Sequence, residues 1–204
     1  DRPEDIVAAR AVVLPGVGAF RDGMENLRQR GLVNPIIEAI IQEKPFLGIC
    51  LGLHFLFSHS EEFGFHRGLD FLAGKVVRLP DRMGKERLKI PHMGWNTLCY
   101  PSESESLERR NMKDTQPPKL SINCPLLEGI PDSTYVYFVH SYYAVPQDST
   151  AVVATTRYGV EFPSMLWRGN LFATQFHPEK SQQVGLRILK NFGKLVEFPA
   201  AKTS

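Results

Sequence analysis

The sequence is poor in the features that secreted and membrane proteins require. It holds 3 cysteines among 204 residues, and a small, odd number argues against a framework of disulfides. No apolar run approaches the roughly 18 residues of a membrane-spanning helix. The chain does not open with a basic segment followed by an apolar one, which is the pattern of an export signal. We therefore expect no membrane partner and a reducing setting, either the cytoplasm or, in a plant, a plastid.

An excess of charge of one sign is also missing. Lysine plus arginine number 24 and aspartate plus glutamate 22, which gives a formal net charge of +2. This balance offers no support for binding to nucleic acid or to an acidic surface, and we expect no nucleic-acid partner. The apolar share of 43% is enough for an ordinary buried core.

Short apolar runs alternate with helical patterns in the first third of the chain. Strands are predicted at 11–14 and 45–49, and helices at 24–44 and 51–63. The order strand, helix, strand, helix predicts an α/β fold with a mostly parallel open sheet flanked by helices. We expect residues 1–204 to form a single domain.

The rest of the chain is predicted to be richer in strands. Strands are expected at 68–80, 88–98, 133–145, 151–158, 163–169 and 171–177, and an amphipathic helix at 184–197. One stretch differs from this pattern, because residues 99–124 are polar, charged and carry a pair of prolines. We interpret that stretch as an exposed insertion.

The segment Gly-Ile-Cys-Leu-Gly (48–52) joins a predicted strand to a predicted helix. Such a junction is typical of a nucleophile elbow, in which small flanking residues relieve the crowding of a strained turn. Gly48 and Gly52 are placed for that role. A helix N-terminus favours the thiolate of Cys50, and the amide of Leu51 points to where an oxyanion would form. The alternative is a buried structural cysteine.

The segment Gln-Phe-His-Pro-Glu-Lys-Ser (175–181) supplies the groups that a thiol nucleophile requires. His177 ends a predicted strand, and Glu179 lies two residues further on. The carboxylate can orient one imidazole nitrogen while the other faces the thiol, as in a catalytic triad. A histidine at a strand end is otherwise an ordinary surface or core residue.

A Pro-Gly-Val-Gly turn (15–18) follows the first predicted strand. Such a turn can bring a second backbone amide, that of Val17 or Gly18, toward the same oxyanion. The alternative is a simple loop with two glycines.

A metal site is the other chemistry to consider around Cys50. His54 lies four residues away, and His59 and His66 follow, but no second pair of ligands stands at zinc spacing. We predict no metal and no cofactor. Cys99 and Cys124 bracket the polar stretch, and a disulfide between them is a minor alternative in a reducing compartment.

The motifs together resemble a known family. The elbow, followed far downstream by His-Pro-Glu, resembles the class I (triad) glutamine amidotransferases. More narrowly, the segments LPGVGAF, PHMGWN, YFVHSYY and QFHPEKS, in this order, are similar to the glutaminase subunits of imidazole glycerol phosphate synthase, an enzyme of histidine biosynthesis. The resemblance implies the flavodoxin-like fold of the class I amidotransferases.

The resemblance implies a division of labour between two proteins. Cys50 would attack the side-chain amide of glutamine, and His177, oriented by Glu179, would move the protons. Ammonia would pass to a (βα)8-barrel cyclase, either as a separate subunit in a heterodimer or as a fused domain. The residues that match the family's glutamine contacts are Gly16, Gly18, Gly52, His54, Glu62, His140, Ser141 and Tyr142. Trp95 and Asn96 match its cyclase interface, and the alternative for Trp95 is an ordinary core residue.

Three departures from the family pattern stand out. His54 occupies a position where the family usually has glutamine, which bears on substrate affinity. The family's first strand, helix and strand are absent before the Pro-Gly-Val-Gly turn, and the first residue is Asp1, which suggests a trimmed chain or the remnant of a fused protein. The polar stretch 99–124 replaces a shorter connection.

Other functions are compatible with parts of the pattern. One is the glutaminase of another class I enzyme, for anthranilate, aminodeoxychorismate, pyridoxal phosphate or guanylate synthesis. A second is a partner-binding remnant without turnover, and a third is a hydrolase or peptidase that uses Cys50 on other substrates. For the main hypothesis we expect weak activity without the partner, because the resemblance implies that the Pro-Gly-Val-Gly turn must flip before the oxyanion hole is complete.

Overall fold

The computed structural model describes residues 2–101 and 124–197. The helices there are α1 (Pro3–Ala8), α2 (Phe20–Gln29), α3 (Val33–Ile41), α4 (Leu51–Phe55) and α5 (Gln182–Glu197). The strands are β1 (Val12–Gly16), β2 (Phe46–Cys50), β3 (Phe57–Ser60), β4 (His66–Arg67), β5 (Leu72–Arg78), β6 (Arg82–Met83), β7 (Glu86–Arg87), β8 (His92–Thr97), β9 (Tyr135–His140), β10 (Tyr142–Pro146), β11 (Val152–Tyr158), β12 (Val160–Arg168) and β13 (Leu171–Thr174). Most of the predicted insertion, residues 102–123, lies outside the described residues.

The main sheet has five strands in the order β1-β2-β13-β12-β11. The first three are parallel, while β12 and β11 continue the sheet in antiparallel pairing. The α/β class is therefore confirmed, but the sheet is mixed rather than mostly parallel. The reason is local, because β11, β12 and β13 follow one another through short turns, and such hairpins pair antiparallel.

A second sheet has the order β10-β5-β3-β4, in which only β3 and β5 are parallel. The strands β8 and β9 form a separate antiparallel ribbon, with His92 opposite His140 and Trp95 opposite Tyr137. This ribbon carries two of the motifs on which the family resemblance depends.

Two apolar clusters lie on the two faces of the main sheet. The first contains Phe46 and Ala173 together with residues of α2, α3 and α4, and the second contains Leu47 and Phe172 together with residues of α5 and β9. Successive strand residues point to opposite faces, so alternate residues of β2 and β13 divide between the clusters. Every residue of β2 is buried, as expected of a strand that is covered on both faces.

Two sequence-predicted elements differ from the structure. The helix predicted at 24–44 is interrupted between α2 and α3, where Gly31 takes a φ of 66° that other residues rarely adopt. The helix predicted at 51–63 is wrong beyond Phe55, because the chain turns into β3, whose Phe57 is fully buried and pairs with Leu72 of β5. The strand predicted at 133–145 is two strands, β9 and β10.

Candidate active site

The register of the parallel strands brings three predicted motifs together. Gly16, at the end of β1, pairs with Cys50, and Thr174, at the end of β13, pairs with Ile49. The Pro-Gly-Val-Gly turn and the segment that leads to His177 therefore leave the sheet on either side of Cys50. In α/β folds this edge, at the carboxyl ends of the strands, is where ligands bind.

Cys50 has the strained backbone of a nucleophile elbow. It stands between β2 and α4 with φ 53° and ψ −106°, and residues other than glycine rarely adopt a positive φ. The flanking glycines leave room for this turn. A Cβ atom on Gly52 would lie 1.8 Å from the carbonyl oxygen of Leu14, and one on Gly48 would lie 2.9 Å from the oxygen of Gly52.

His177 and Glu179 have the predicted relationship. Nδ1 of His177 lies 2.7 Å from Oε1 of Glu179. Nε2 of His177 is buried without a hydrogen-bond partner among the described residues, and the ring lines the same cavity as Cys50. The main chain of His177 is fixed as well, because its N–H donates to Tyr137 (2.9 Å) and its carbonyl accepts from the hydroxyl of Ser181 (2.7 Å).

The thiol of Cys50 is protonated at neutral pH in this structure. Burial raises its pKa to about 11, and the Glu179 carboxylate acts in the same direction. The amide of Leu51 hydrogen-bonds to the sulfur and lowers the pKa, as does the side chain of Gln175, but burial prevails. The amide at the helix N-terminus thus favours the thiolate, as expected, but burial outweighs it in this state. The helix α4 has only five residues, so its dipole is small.

A cavity of about 410 Å³ opens beside the thiol, which is within the usual size range of small-molecule sites. Most of the residues predicted for substrate binding and for the oxyanion hole lie on its walls. The lining residues are Val17, Gly18, Cys50, Leu51, His54, Glu62, Pro91, Val139, His140, Ser141, Tyr142, His177 and Lys180. The structure thus brings together residues that are more than 150 positions apart in the sequence.

Two predicted substrate contacts, Gly16 and Gly52, do not line this cavity. Both are tightly packed against the elbow. A Cβ on Gly16 would lie 2.8 Å from Cβ of Leu51, and Gly52 abuts the main chain of Leu14. The geometry gives these glycines a steric role in building the turn.

Glu62 reaches the cavity from a different element than expected. It follows β3 rather than a helix, and its Oε2 accepts a hydrogen bond of 2.7 Å from the backbone N–H of Phe20, at the start of α2. Tyr142 lines the same cavity. Burial, and next the Glu62 carboxylate, raise the pKa of the Tyr142 hydroxyl.

Gln175 is a site residue that the sequence analysis missed. Its Oε1 lies 2.7 Å from Nε2 of His54, and its Nε2 donates to the sulfur of Cys50 over 3.9 Å. Because an amide oxygen only accepts, Nε2 of His54 carries the proton. Burial lowers the pKa of His54 to about 4, so the ring is neutral. A signal was present, because Gln175 lies two residues before His177 in one motif.

The predicted interface residues lie on the ribbon of β8 and β9. Trp95 is 46% exposed, and its ring meets Tyr137 edge-on with 5.9 Å between the centroids. Met93 and Tyr135 are exposed nearby, at 57% and 61%. Asn96 differs, because its side-chain amide turns inward and donates to the carbonyl of Arg157 over 3.1 Å.

Three other features considered from the sequence are a metal site, a disulfide and a membrane-spanning helix, and none of them is found in the described residues. Within 2–101 and 124–197 no group of three or more histidine, cysteine, aspartate or glutamate residues could hold a metal ion. Cys99 and Cys124, considered as a disulfide pair, are both free thiols. Over the same ranges no helix is long and apolar enough to span a membrane.

Comparison with known proteins identifies the family of the chain. The family described as glutamine amidotransferase class-I matches residues 3–195. A crystal structure of a glutamine amidotransferase shares the fold at a TM-score of 0.60 and 18% identity, over 94% of this chain and 84% of that one. The fold and the family match define the chain as a class-I glutamine amidotransferase.

More similar relatives narrow the assignment. The imidazole glycerol phosphate synthase subunit HisH of Syntrophotalea carbinolica is 50% identical over 197 residues, which are 96% of this chain and 86% of that protein. The subunit HisH of Moorella thermoacetica is 50% identical over 196 residues, 96% of this chain and 81% of that protein. The chain belongs to the family of these HisH subunits, and the resemblance inferred from the motifs is confirmed.

Proposed function

We propose that the chain hydrolyses glutamine to glutamate and delivers the ammonia to a (βα)8-barrel cyclase that makes imidazole glycerol phosphate. One observation carries the proposal. Nε2 of His177 is buried beside the cavity that holds the Cys50 thiol and has no hydrogen-bond partner among residues 2–101 and 124–197, while Nδ1 is bound to Glu179. A thiol, an imidazole base and an orienting carboxylate form the set that acyl transfer from an amide requires.

The first half of the reaction forms a thioester. The Cys50 thiol gives its proton to Nε2 of His177 as the sulfur attacks the side-chain amide carbon of glutamine. The backbone amide of Leu51 stabilises the oxyanion, joined by an amide of Val17 or Gly18. His177 then returns the proton to the amide nitrogen, the carbon–nitrogen bond breaks, and ammonia leaves.

The second half regenerates the thiol. His177 takes a proton from water as the water oxygen attacks the thioester carbon, and the sulfur leaves as the carbon–sulfur bond breaks. The proton returns to the sulfur, and glutamate is released. Glu179 stabilises the positive charge on the imidazole in both halves.

The cavity walls offer partners for the amino-acid end of the substrate. The Glu62 carboxylate holds the α-amino group, as the family resemblance implies, and His54, His140, Ser141 and Tyr142 complete the wall. The cavity volume fits a small amino acid better than a peptide segment, which argues against the peptidase alternative.

The cyclase docks on the exposed face of the ribbon, which we define as Met93, Trp95 and Tyr135. Large aromatic and methionine side chains are the residues enriched at such interfaces. Support also comes from the relatives, which are named as subunits of a synthase.

Glutamate release tests the function directly. We expect slow release by the chain alone and a rise of at least tenfold with a cyclase subunit and its nucleotide ligand. Cys50→Ser should abolish the release, whereas Cys99→Ser, which changes a thiol outside the cavity, should leave it unchanged. No release from a folded chain in the presence of the cyclase would refute the proposal and favour a partner-binding remnant.

A further inference from the structure

A chain of hydrogen bonds connects the ribbon to the wall of the cavity. Asn96 Nδ2 lies 3.2 Å from Nε2 of His92, and Nδ1 of His92 lies 3.0 Å from Nε2 of His140. Nδ1 of His140 lies 2.8 Å from the carbonyl oxygen of Tyr142. His140 and Tyr142 line the cavity, whereas Asn96 neighbours the exposed Trp95.

The partners of Asn96 determine which atom is the donor in each hydrogen bond of this series. The side-chain oxygen of Asn96 accepts from the backbone N–H of Thr97 over 2.8 Å, and Nδ2 donates to the carbonyl of Arg157. Nδ2 therefore also donates to Nε2 of His92, which must be the unprotonated nitrogen of a neutral ring. The proton of His92 is then on Nδ1, which donates to His140.

The partner at the other end requires the same direction. A carbonyl oxygen only accepts, so Nδ1 of His140 carries the proton that is donated to Tyr142, and Nε2 is free to accept from His92. Burial lowers the pKa of His92 to about 4 and that of His140 to about 3, so both rings are neutral at pH 7. Each end of the hydrogen-bond chain thus independently fixes the same tautomers of His92 and His140.

Packing prevents the His92 ring from turning. The ring is 4% exposed and is stacked between Tyr158, at 4.1 Å and 20°, and Phe138, at 4.9 Å and 25°. A 180° flip of the ring, which exchanges Nδ1 with Cδ2 and Nε2 with Cε1, would break the bonds to Asn96 and to His140 together. The ring is therefore held both in its plane and in its orientation.

We infer that His92 is a positioning residue, which Asn96 orients and which in turn fixes the His140 ring and the Tyr142 carbonyl on the cavity wall. His92 does not line the cavity and acts on a ligand only through His140. The effect on glutamine binding rests on the proposed function. The tautomers of the two rings do not depend on it.

Nitrogen-15 NMR of the imidazole rings tests the arrangement in the parent chain at pH 7.5. We expect both His92 and His140 to be neutral with the proton on Nδ1, whereas free neutral histidine prefers the proton on Nε2. His92→Phe and His140→Phe identify the two rings among the 6 histidines by loss of a signal. A charged ring, or a proton on Nε2 of either one, would overturn the inference whatever the chain catalyses.

Kinetics with saturating cyclase and nucleotide ligand tests the positioning role. His92→Phe keeps a flat ring in the stack but removes the donor to His140. We expect KM for glutamine to rise about tenfold, the effect of leaving one buried acceptor unpaired, with a smaller change in kcat. Tyr158→Phe is the matched control, since it keeps the stack and loses only a bond from its hydroxyl to the carbonyl of Lys89.

The outcomes separate the two proposals. If both rings show the expected tautomers but His92→Phe and Tyr158→Phe have the same KM for glutamine, the positioning role is overturned. Expected tautomers in a parent chain that releases no glutamate would refute the proposed function and leave the hydrogen-bond chain intact.

Discussion

At the scale of single residues, the resting site holds the proposed nucleophile in an unreactive form. The Cys50 thiol is buried, and its pKa is raised to about 11. Nε2 of His177 is buried beside the same cavity, with no hydrogen-bond partner in the described part of the chain. A thiol that is protonated at neutral pH depends on a base at the moment of attack. Low activity of the isolated chain is the expected consequence.

Alkylation of Cys50 measures this state. In the free chain the rate of modification by iodoacetamide should keep rising from pH 9 toward 11, and near pH 7 the thiolate fraction should be about a hundredfold below that of an ordinary thiol. Modification is followed peptide by peptide in mass spectrometry, with the half-buried Cys99 as internal reference. A rate for Cys50 that levels off near neutral pH would contradict the prediction.

His54 links the site to stability at acid pH. Its folded pKa is lowered to about 4 from 6.5, so below pH 6.5 the unfolded chain takes up a proton that the folded chain refuses. Stability is therefore fully present above pH 6.5 and is lost as the pH falls toward 4. Between pH 7.5 and 5 this residue costs about 2 kcal/mol.

The variant His54→Gln removes that group. Urea unfolding at pH 7.5 and pH 5 should show a smaller loss of unfolding free energy in the variant than in the parent, by about the 2 kcal/mol that His54 contributes. The buried His92 and His140 contribute equally to both proteins and cancel in the comparison. An equal loss in parent and variant would show that His54 is not the source.

The sequence predicted those site residues that belong to local motifs. Cys50 lies two residues from each of its glycines, and His177 and Glu179 flank a proline, so short segments identify them. Gln175 and His92 were missed, because their roles depend on contacts across 125 and 48 positions. Both residues lie within the motifs QFHPEKS and PHMGWN, but no local pattern reveals the distant contacts that give them their roles.

At the scale of elements, the elbow depends on how closely α4 approaches β1 and β2. Gly52→Ala would place a methyl group against the backbone of Leu14, and backbone cannot move as a flexible side chain can. We expect a loss of about 3 kcal/mol or more of unfolding free energy. Gly48→Ala, with a nearest contact of 2.9 Å, should cost less.

A glycine in α5 is the matched control for these substitutions. A Cβ on Gly193 would meet nothing within 4 Å, so Gly193→Ala should stabilise the protein by roughly 0.5–1 kcal/mol through helix propensity. Urea unfolding of the three variants gives the order directly. Similar effects at Gly52 and Gly193 would show that the elbow tolerates a side chain and that its tight packing is not required.

The elements that the sequence predicted best are those whose pattern is unambiguous. The strand β2 and the helix α5 lie close to the predicted ranges, because a fully apolar pentad and a long amphipathic stretch each fit one structure. The run after Cys50 fits both a helix and a strand over a few residues. The helix ends after one turn because β3 pairs with β5. The local sequence does not reveal this pairing, since the partner strand lies further along the chain.

At the scale of the whole molecule, the proposed docking face and the proposed active site lie in different parts of the fold but share one element. The carboxyl ends of β1, β2 and β13 carry the site, and the ribbon of β8 and β9 carries the exposed face of Met93, Trp95 and Tyr135. His140 lies at the end of β9 and on the cavity wall. In the proposed function the ribbon therefore takes part in both docking and substrate binding.

Trp95→Ala and Asn96→Ala should distinguish the two roles of the ribbon. Trp95 is half-exposed, and its loss should weaken the affinity for the cyclase about tenfold or more while changing the unfolding free energy little. Calorimetric titration with the cyclase measures the affinity. Leu186→Ala, at an exposed leucine of α5 (55%), is the control and should bind as the parent does.

Measurements at saturating cyclase then separate an effect on cyclase affinity from an effect on the positioning of the cavity wall. At saturation Trp95→Ala should regain the parent's KM for glutamine, because its side chain takes no part in the hydrogen bonds to the cavity wall. Asn96→Ala removes the donor to His92, so its KM should stay severalfold above that of the parent however much cyclase is added. The reverse result, with Asn96→Ala restored and Trp95→Ala not, would mean that the indole rather than the amide connects the docked partner to the site.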